Sequence, residues 1–215
     1  MDVLIDNLPV ILEGFGKTLQ LLAVSGVIAM IVGTLIALFR VSPVPVLRRT
    51  GTVYVAIFRN SPLLVLILIT YYGLPEIGID FGFFTMITMA MGLYTAAFVA
   101  ESLRSGINGI PLGQAEASRS LGLTFSQSMS TVVFPQALRN VVPPLASVFI
   151  ALTKNTSLAL GFGIAEASFR SKELLNDFPT SRWWIFGGIA LGYIIIVEAI
   201  SLGAALLERR WRRER

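Results

Sequence analysis

Cysteine and histidine are both absent from this 215-residue chain. Without cysteine there can be no disulfide, thiolate metal site or cysteine nucleophile. Without histidine the commonest general base and metal ligand is missing. Ser-His hydrolysis and zinc chemistry are therefore excluded, and an intramembrane enzyme could draw only on carboxylates. We assign no catalytic residue and no metal ligand. Charge is scarce as well: 14% of residues are charged, against about 25% in soluble domains. The charges cluster between long stretches that have almost none, which rules out a soluble domain.

Five such stretches are present, and a membrane helix needs roughly 20 mostly apolar residues. Spans are expected at about 18–39, 52–73, 81–103, 136–165 and 183–207, making one all-α transmembrane domain over 1–215. The first lies between Lys17 and Arg40, and Asp80 precedes the third. Arg59 falls inside the second, Lys154 inside the fourth and Glu198 inside the fifth. Backbone groups in lipid must pair within their own segment, so each span is helical. Pro62, Pro135, Pro143 and Pro144 remove backbone donors and can kink the helices that carry them.

Lysine and arginine set orientation. Arg40, Arg48, Arg49, Arg59, Arg104, Arg119, Arg139 and the five arginines of the tail fall on one side; Lys17, Arg170, Lys172 and Arg182 fall on the other. The first side is expected to be cytoplasmic, with the N-terminus outside and the C-terminus inside. Trp183 and Trp184 suit the outer interface, and Trp211 suits the inner one. Asp2, Asp6 and Glu13 stand where a signal peptide would be basic, so no cleavable signal is expected. Ser25, Ala29, Gly33 and Ala37 recur at four-residue spacing in the first span, as Gly188 and Gly192 do in the fifth. Small residues spaced this way let helices approach, within the chain or across a dimer.

The stretch 104–135 does not belong in lipid. Pro111 and Gly113 mark a turn, and Gln114 to Leu121 reads as a short helix. Gly122 is suited to close it in a left-handed conformation. Thr124-Phe-Ser-Gln127 is a capping box that starts a second helix. Ala115, Ala117 and Ser118 are small and permit close approach by a partner.

Within this loop, Glu116-Ala117-Ser118, then Gly122, then Val132-Val133-Phe134-Pro135 resemble the EAA loop of ABC importer permeases. The family pattern is Glu-Ala-Ala, three residues, Gly, nine residues and Ile-x-Leu-Pro; Ser118, Val132 and Phe134 are small or apolar departures from it. The likeness extends to Arg59-Asn-Ser-Pro-Leu-Leu64, to Tyr94-Thr-Ala-Ala-Phe-Val-Ala-Glu101-Ser-Leu-Arg104-Ser-Gly-Ile107, and to Leu152-Thr-Lys154-Asn155-Thr156-Ser157. These segments resemble the polar amino-acid permeases, in particular those of glutamate importers.

That resemblance implies a type I ABC importer permease in the bacterial cytoplasmic membrane. It implies an ATPase dimer, an external amino-acid-binding protein and a second permease, a related chain rather than a copy. ATP and Mg would sit on the ATPase; no cofactor is expected on this chain. Glu116, Ala117, Ser118, Arg119 and Gly122 would couple to the ATPase, with Glu116 as its charged contact or, more simply, a solvated carboxylate.

Lys154 stands roughly 22 Å beyond Arg139 at helical rise, and an ionisable group at that depth is expensive and mostly functional. Its ammonium could hold a substrate carboxylate, with Asn155, Thr156 and Ser157 beside it. It could instead snorkel outward or pair structurally. Glu101 is a further candidate pathway residue, although an ion pair with Arg104 three positions on is the simpler reading. Glu198 has no assigned role.

Three other signals are set aside. Gly16-Lys17-Thr18 imitates the end of a phosphate-binding loop, but the first glycine of that motif would fall at Ile11, and the context is a membrane helix. Asn155-Thr156-Ser157 fits a glycosylation sequon inside a span. The arginine-rich tail is better explained by anionic lipid than by nucleic acid. A self-sufficient channel or secondary transporter fits the span count but has no use for a docking helix.

Overall fold

The computed structural model describes residues 2–213, and all regular structure among them is helical. The chain runs α1 (Asp2–Asp6), α2 (Leu8–Val41), α3 (Pro45–Asn60), α4 (Leu63–Leu68), a π-helical turn (Ile69–Gly73) and α5 (Leu74–Glu76). It continues with α6 (Phe83–Asn108), α7 (Leu112–Ser120), α8 (Phe125–Gln127), a second π-helical turn (Ser128–Val133) and α9 (Phe134–Asn155). A 3-10 stretch (Thr156–Phe162), α10 (Ala167–Asp177), a 3-10 turn (Pro179–Ser181) and α11 (Arg182–Arg213) complete it. Among the described residues, four helical runs are long and apolar enough to cross a membrane: Leu8–Val41, Phe83–Asn108, Ser128–Phe162 and Pro179–Arg210.

The expected second span is not straight. α3 and the helix from Leu63 to Glu76 meet at an angle of 102°. The cause is local: Ser61 and Pro62 are both extended, with ψ of 138° and 130°, as expected for a proline and the residue before it. Arg59 therefore ends a helix rather than sitting inside a continuous one. α3 packs Val55 among Ile36, Ala37, Ala97 and Ala100, and the Tyr54 hydroxyl donates to the Leu93 carbonyl at 2.7 Å. α4 then follows α6, placing Leu63 and Ile67 with Ile87, Ala90 and Met91.

Pro143 and Pro144, by contrast, lie inside α9 without interrupting it. The fourth span also begins earlier than expected. The capping box is formed, with Thr124 N donating to Gln127 Oε1 at 2.9 Å and Gln127 N to Thr124 Oγ1 at 3.3 Å. The helix it starts continues without a break into α9.

The pairing of α2 with α6 forms the centre of the bundle. Ser25, Ala29, Gly33 and Ala37 are all buried. A Cβ on Gly33 would lie 2.7 Å from the Val99 side chain and 2.8 Å from the Ala96 carbonyl oxygen, and one on Gly92 would lie 2.6 Å from Ile28. The small-residue stripe thus serves packing within the chain. The same holds for Gly188, which faces Leu4, and Gly192, which faces Phe15.

Candidate functional site

The polar loop after α6 forms a compact handle. α7 begins after extended Pro111 and ends in paired bonds, Gly122 N to the Arg119 carbonyl at 2.9 Å and Leu123 N to the Ser118 carbonyl at 3.2 Å. That closure needs a left-handed residue, and Gly122 supplies it at φ +83°. A Cβ there would meet nothing within 4 Å, so the glycine answers the turn rather than a close neighbour in this chain. α7 packs against the Ser128–Val133 turn, with Ser118 and Ser128 buried. Glu116, Ala117 and Arg119 are left exposed. The Ala115 and Trp211 side chains lie outside the described ones. Leu121, to which the sequence alone assigns no role, is 82% exposed at the tip.

Glu101 lies deeper, on α6. Arg40 and Arg104 both donate to its carboxylate, and Arg59 Nη1 approaches to 3.7 Å. The expected Glu101–Arg104 pair is present, but two more guanidiniums, from α2 and the end of α3, join it. Arg59 also lies over the Phe98 ring at 5.5 Å, a favourable cation–π distance. Arg59 reaches this cluster from the last turn of α3, just before the break at Pro62.

The four residues 154–157 diverge. Lys154 and Ser157 line a cavity of about 420 Å³ together with Tyr193, Ile194, Val197 and Glu198 of α11. Asn155 lines another, of about 380 Å³, with Tyr94, Phe98 and Ser147 among its walls. Thr156 is buried and donates to the Thr153 carbonyl at 2.7 Å. Glu101 borders neither cavity.

One buried carboxylate lies outside the expectations from sequence. Glu166 is 0% exposed and caps α10, accepting from Ser168 N and Phe169 N, each at 2.9 Å. The Tyr193 hydroxyl donates to it at 2.7 Å and the Thr18 hydroxyl at 3.4 Å. Three helices thus meet at one side chain. The sequence does carry a signal: Glu166 is the sole charged residue between Asn155 and Phe169. Arg170, one turn further, bonds Glu173 at 2.8 Å and Glu13 at 3.1 Å. The Glu173 bond and the nearby carboxylates hold its pKa above the ordinary arginine value. Among the described residues, no three carboxylates group closely enough to hold a metal ion.

Comparison with known proteins places this geometry. Residues 27–213 match the family described as binding-protein-dependent transport system inner membrane component. The glutamate transport system permease of Corynebacterium efficiens is 39% identical, over 94% of each chain. A probable glutamine ABC transporter permease of Bacillus subtilis is 34% identical, covering 98% of this chain and 97% of its own. A chain from the crystal structure of an amino acid ABC transporter with histidines superposes with a TM-score of 0.87 at 30% identity, over 96% of both. The handle, the bent second span and the four long helices are thus those of a membrane permease, and the chain belongs to the family of binding-protein-dependent transport system inner membrane components.

Proposed function

We propose that this chain is the permease subunit of an ATP-driven importer for a polar amino acid of the glutamate or glutamine kind. The observation that carries it is the handle: a short helix on a left-handed glycine, with Glu116, Arg119 and Leu121 facing outward beside a helix that runs on into the bundle. A channel or a secondary transporter has no use for such a projection. The relatives named for glutamate and, as probable, for glutamine transport support the choice of solute.

In this reading α7 docks on a separate ATPase dimer, which binds ATP and Mg. Closure of that dimer moves the spans as rigid bodies. The handle and the arginine-rich tail face the cytoplasm, and the N-terminus, α10 and Trp183–Trp184 face outward, where a binding protein delivers the solute. A second permease, a related chain rather than a copy, supplies the other half of the path. Lys154 and Ser157 border that path, and the Lys154 ammonium takes a carboxylate of the passing solute.

The test is reconstitution in proteoliposomes with the partner ATPase, the second permease and the binding protein. Liganded binding protein should stimulate ATP hydrolysis and drive uptake. Uptake with no ATPase present would refute the proposal.

A further inference from the structure

The two limbs of the bend at Ser61-Pro62 lie differently against α6. α3 stays beside one stretch of that helix: the Tyr54 hydroxyl reaches the Leu93 carbonyl, Val55 lies with Ala97 and Ala100, and Arg59 approaches Glu101. The other limb climbs. Tyr71 stacks on Phe83, ring centroids 4.9 Å apart, at the opposite end of α6 and roughly 27 Å from Glu101 at helical rise. With 102° between the limbs, α3 lies across the bundle while α4 and α5 run along it. Its level is that of Arg40, in the last turn of α2, and of the Glu101 cluster on α6. In the proposed topology that is the cytoplasmic boundary of the membrane.

Charge and apolarity divide around α3. Gly51 and Val55 face the bundle and are buried. At 3.6 residues per turn, Arg48, Thr52 and Arg59 fall on one flank of that face, and Val46, Val53 and Ile57 fall on the other. All six are exposed. A helix that is basic on one flank and apolar on another suits the plane of a membrane surface. Three guanidiniums, from Arg40, Arg59 and Arg104, share the single Glu101 carboxylate. Arg48 enters no ion pair among the described residues. This edge of the bundle thus carries positive charge that no carboxylate among the described residues balances.

We infer that α3 is a lipid-binding helix, whose arginine flank holds the phosphate of an anionic phospholipid in the leaflet on the handle's side. Arg48 and Arg59 face the headgroup, where a guanidinium can offer a phosphate two parallel hydrogen bonds. Val46, Val53 and Ile57 meet the acyl chains. The apolar flank is what selects a lipid over a soluble anion, which would leave it in water.

Ile57→Cys on the cysteine-free chain gives a single attachment point for a fluorophore. The complete transporter, its second permease and ATPase stripped of accessible cysteines, is reconstituted in phosphatidylcholine vesicles. Quenching by brominated phosphatidylglycerol and by brominated phosphatidylcholine, at equal mole fraction, reads which lipid lies against α3. Phosphatidylglycerol should be favoured about fivefold or more, the scale of one arginine near a membrane surface. Arg48→Gln/Arg59→Gln should bring that ratio close to one while phosphatidylcholine still quenches. An excess of glycerol 1-phosphate, the soluble headgroup, should not relieve the quenching.

Quenching by neither lipid overturns the inference, since a protein face would then cover α3. Equal quenching by both lipids, or relief by glycerol 1-phosphate, does the same. So does a double variant that keeps the preference, or one in which both lipids cease to quench, because the arginines would then hold the helix rather than a headgroup. None of these readings uses nucleotide or solute, so the importer proposal is judged separately, by its own test.

Discussion

Glu166 accepts four hydrogen bonds, two from backbone amides and two from hydroxyls, and no ion pair engages it among the described residues. A buried carboxylate held this way joins α10 to α2 and α11, and removing it strands two amides at once and leaves the Tyr193 hydroxyl with Ser168 alone. Glu166→Ala should cost roughly 1–3 kcal/mol and lower the melting temperature in detergent, with Glu166→Gln recovering part of the loss. An unchanged melt would remove the proposed role. Gly122 acts through conformation: at φ +83° an alanine costs about 1–2 kcal/mol, and a larger charged side chain adds bulk at the docking face. Gly122→Asp and Glu116→Lys should abolish ATP-driven uptake while immunoblotting finds normal amounts in the membrane. Wild-type uptake by either would show that the handle does not couple.

The elements are unequally legible in the sequence. Helix type, the loop's two helices, the glycine closure and the capping box can all be read, because each depends on residues within a turn of one another. The 102° bend cannot: apolar content over 52–73 suits a span whether or not the helix breaks, and Ser61-Pro62 alone does not separate a kink from a corner. Arg59 is the better clue, since a guanidinium in the first third of an expected span demands an explanation. The Glu101 cluster and the Glu166 network depend on contacts between distant segments, as Arg40 and Glu101 illustrate by pairing across α2 and α6. No spacing rule reveals these. The α2–α6 stripe makes an element-scale prediction. Gly33→Leu forces atoms into Val99 and the Ala96 carbonyl, and overpacking of this kind costs typically about 1–3 kcal/mol. Lower yield of folded protein on size-exclusion chromatography should result, and a normal elution profile with a normal melt would show that α6 yields.

At the scale of the whole molecule, orientation is testable with little background, because the sequence has no cysteine. Ser120 and Asn176 are both exposed and belong to opposite ends of the bundle in the proposed topology. A single cysteine at position 120 should react with an impermeant maleimide only in inside-out vesicles, and one at 176 only in intact spheroplasts. The reverse pattern would invert the chain and remove α7 from reach of any cytosolic ATPase.

Helical structure is continuous from Phe125, just past the handle, to Lys154 at the cavity. At 1.5 Å per residue that is an arm about 44 Å long. A tilt of about 5° at its base would sweep the far end by about 4 Å, by simple trigonometry on that length. In the proposed topology, leverage of this kind would turn a small rotation at the handle into a displacement larger than a hydrogen bond at the far end, without any helix unwinding.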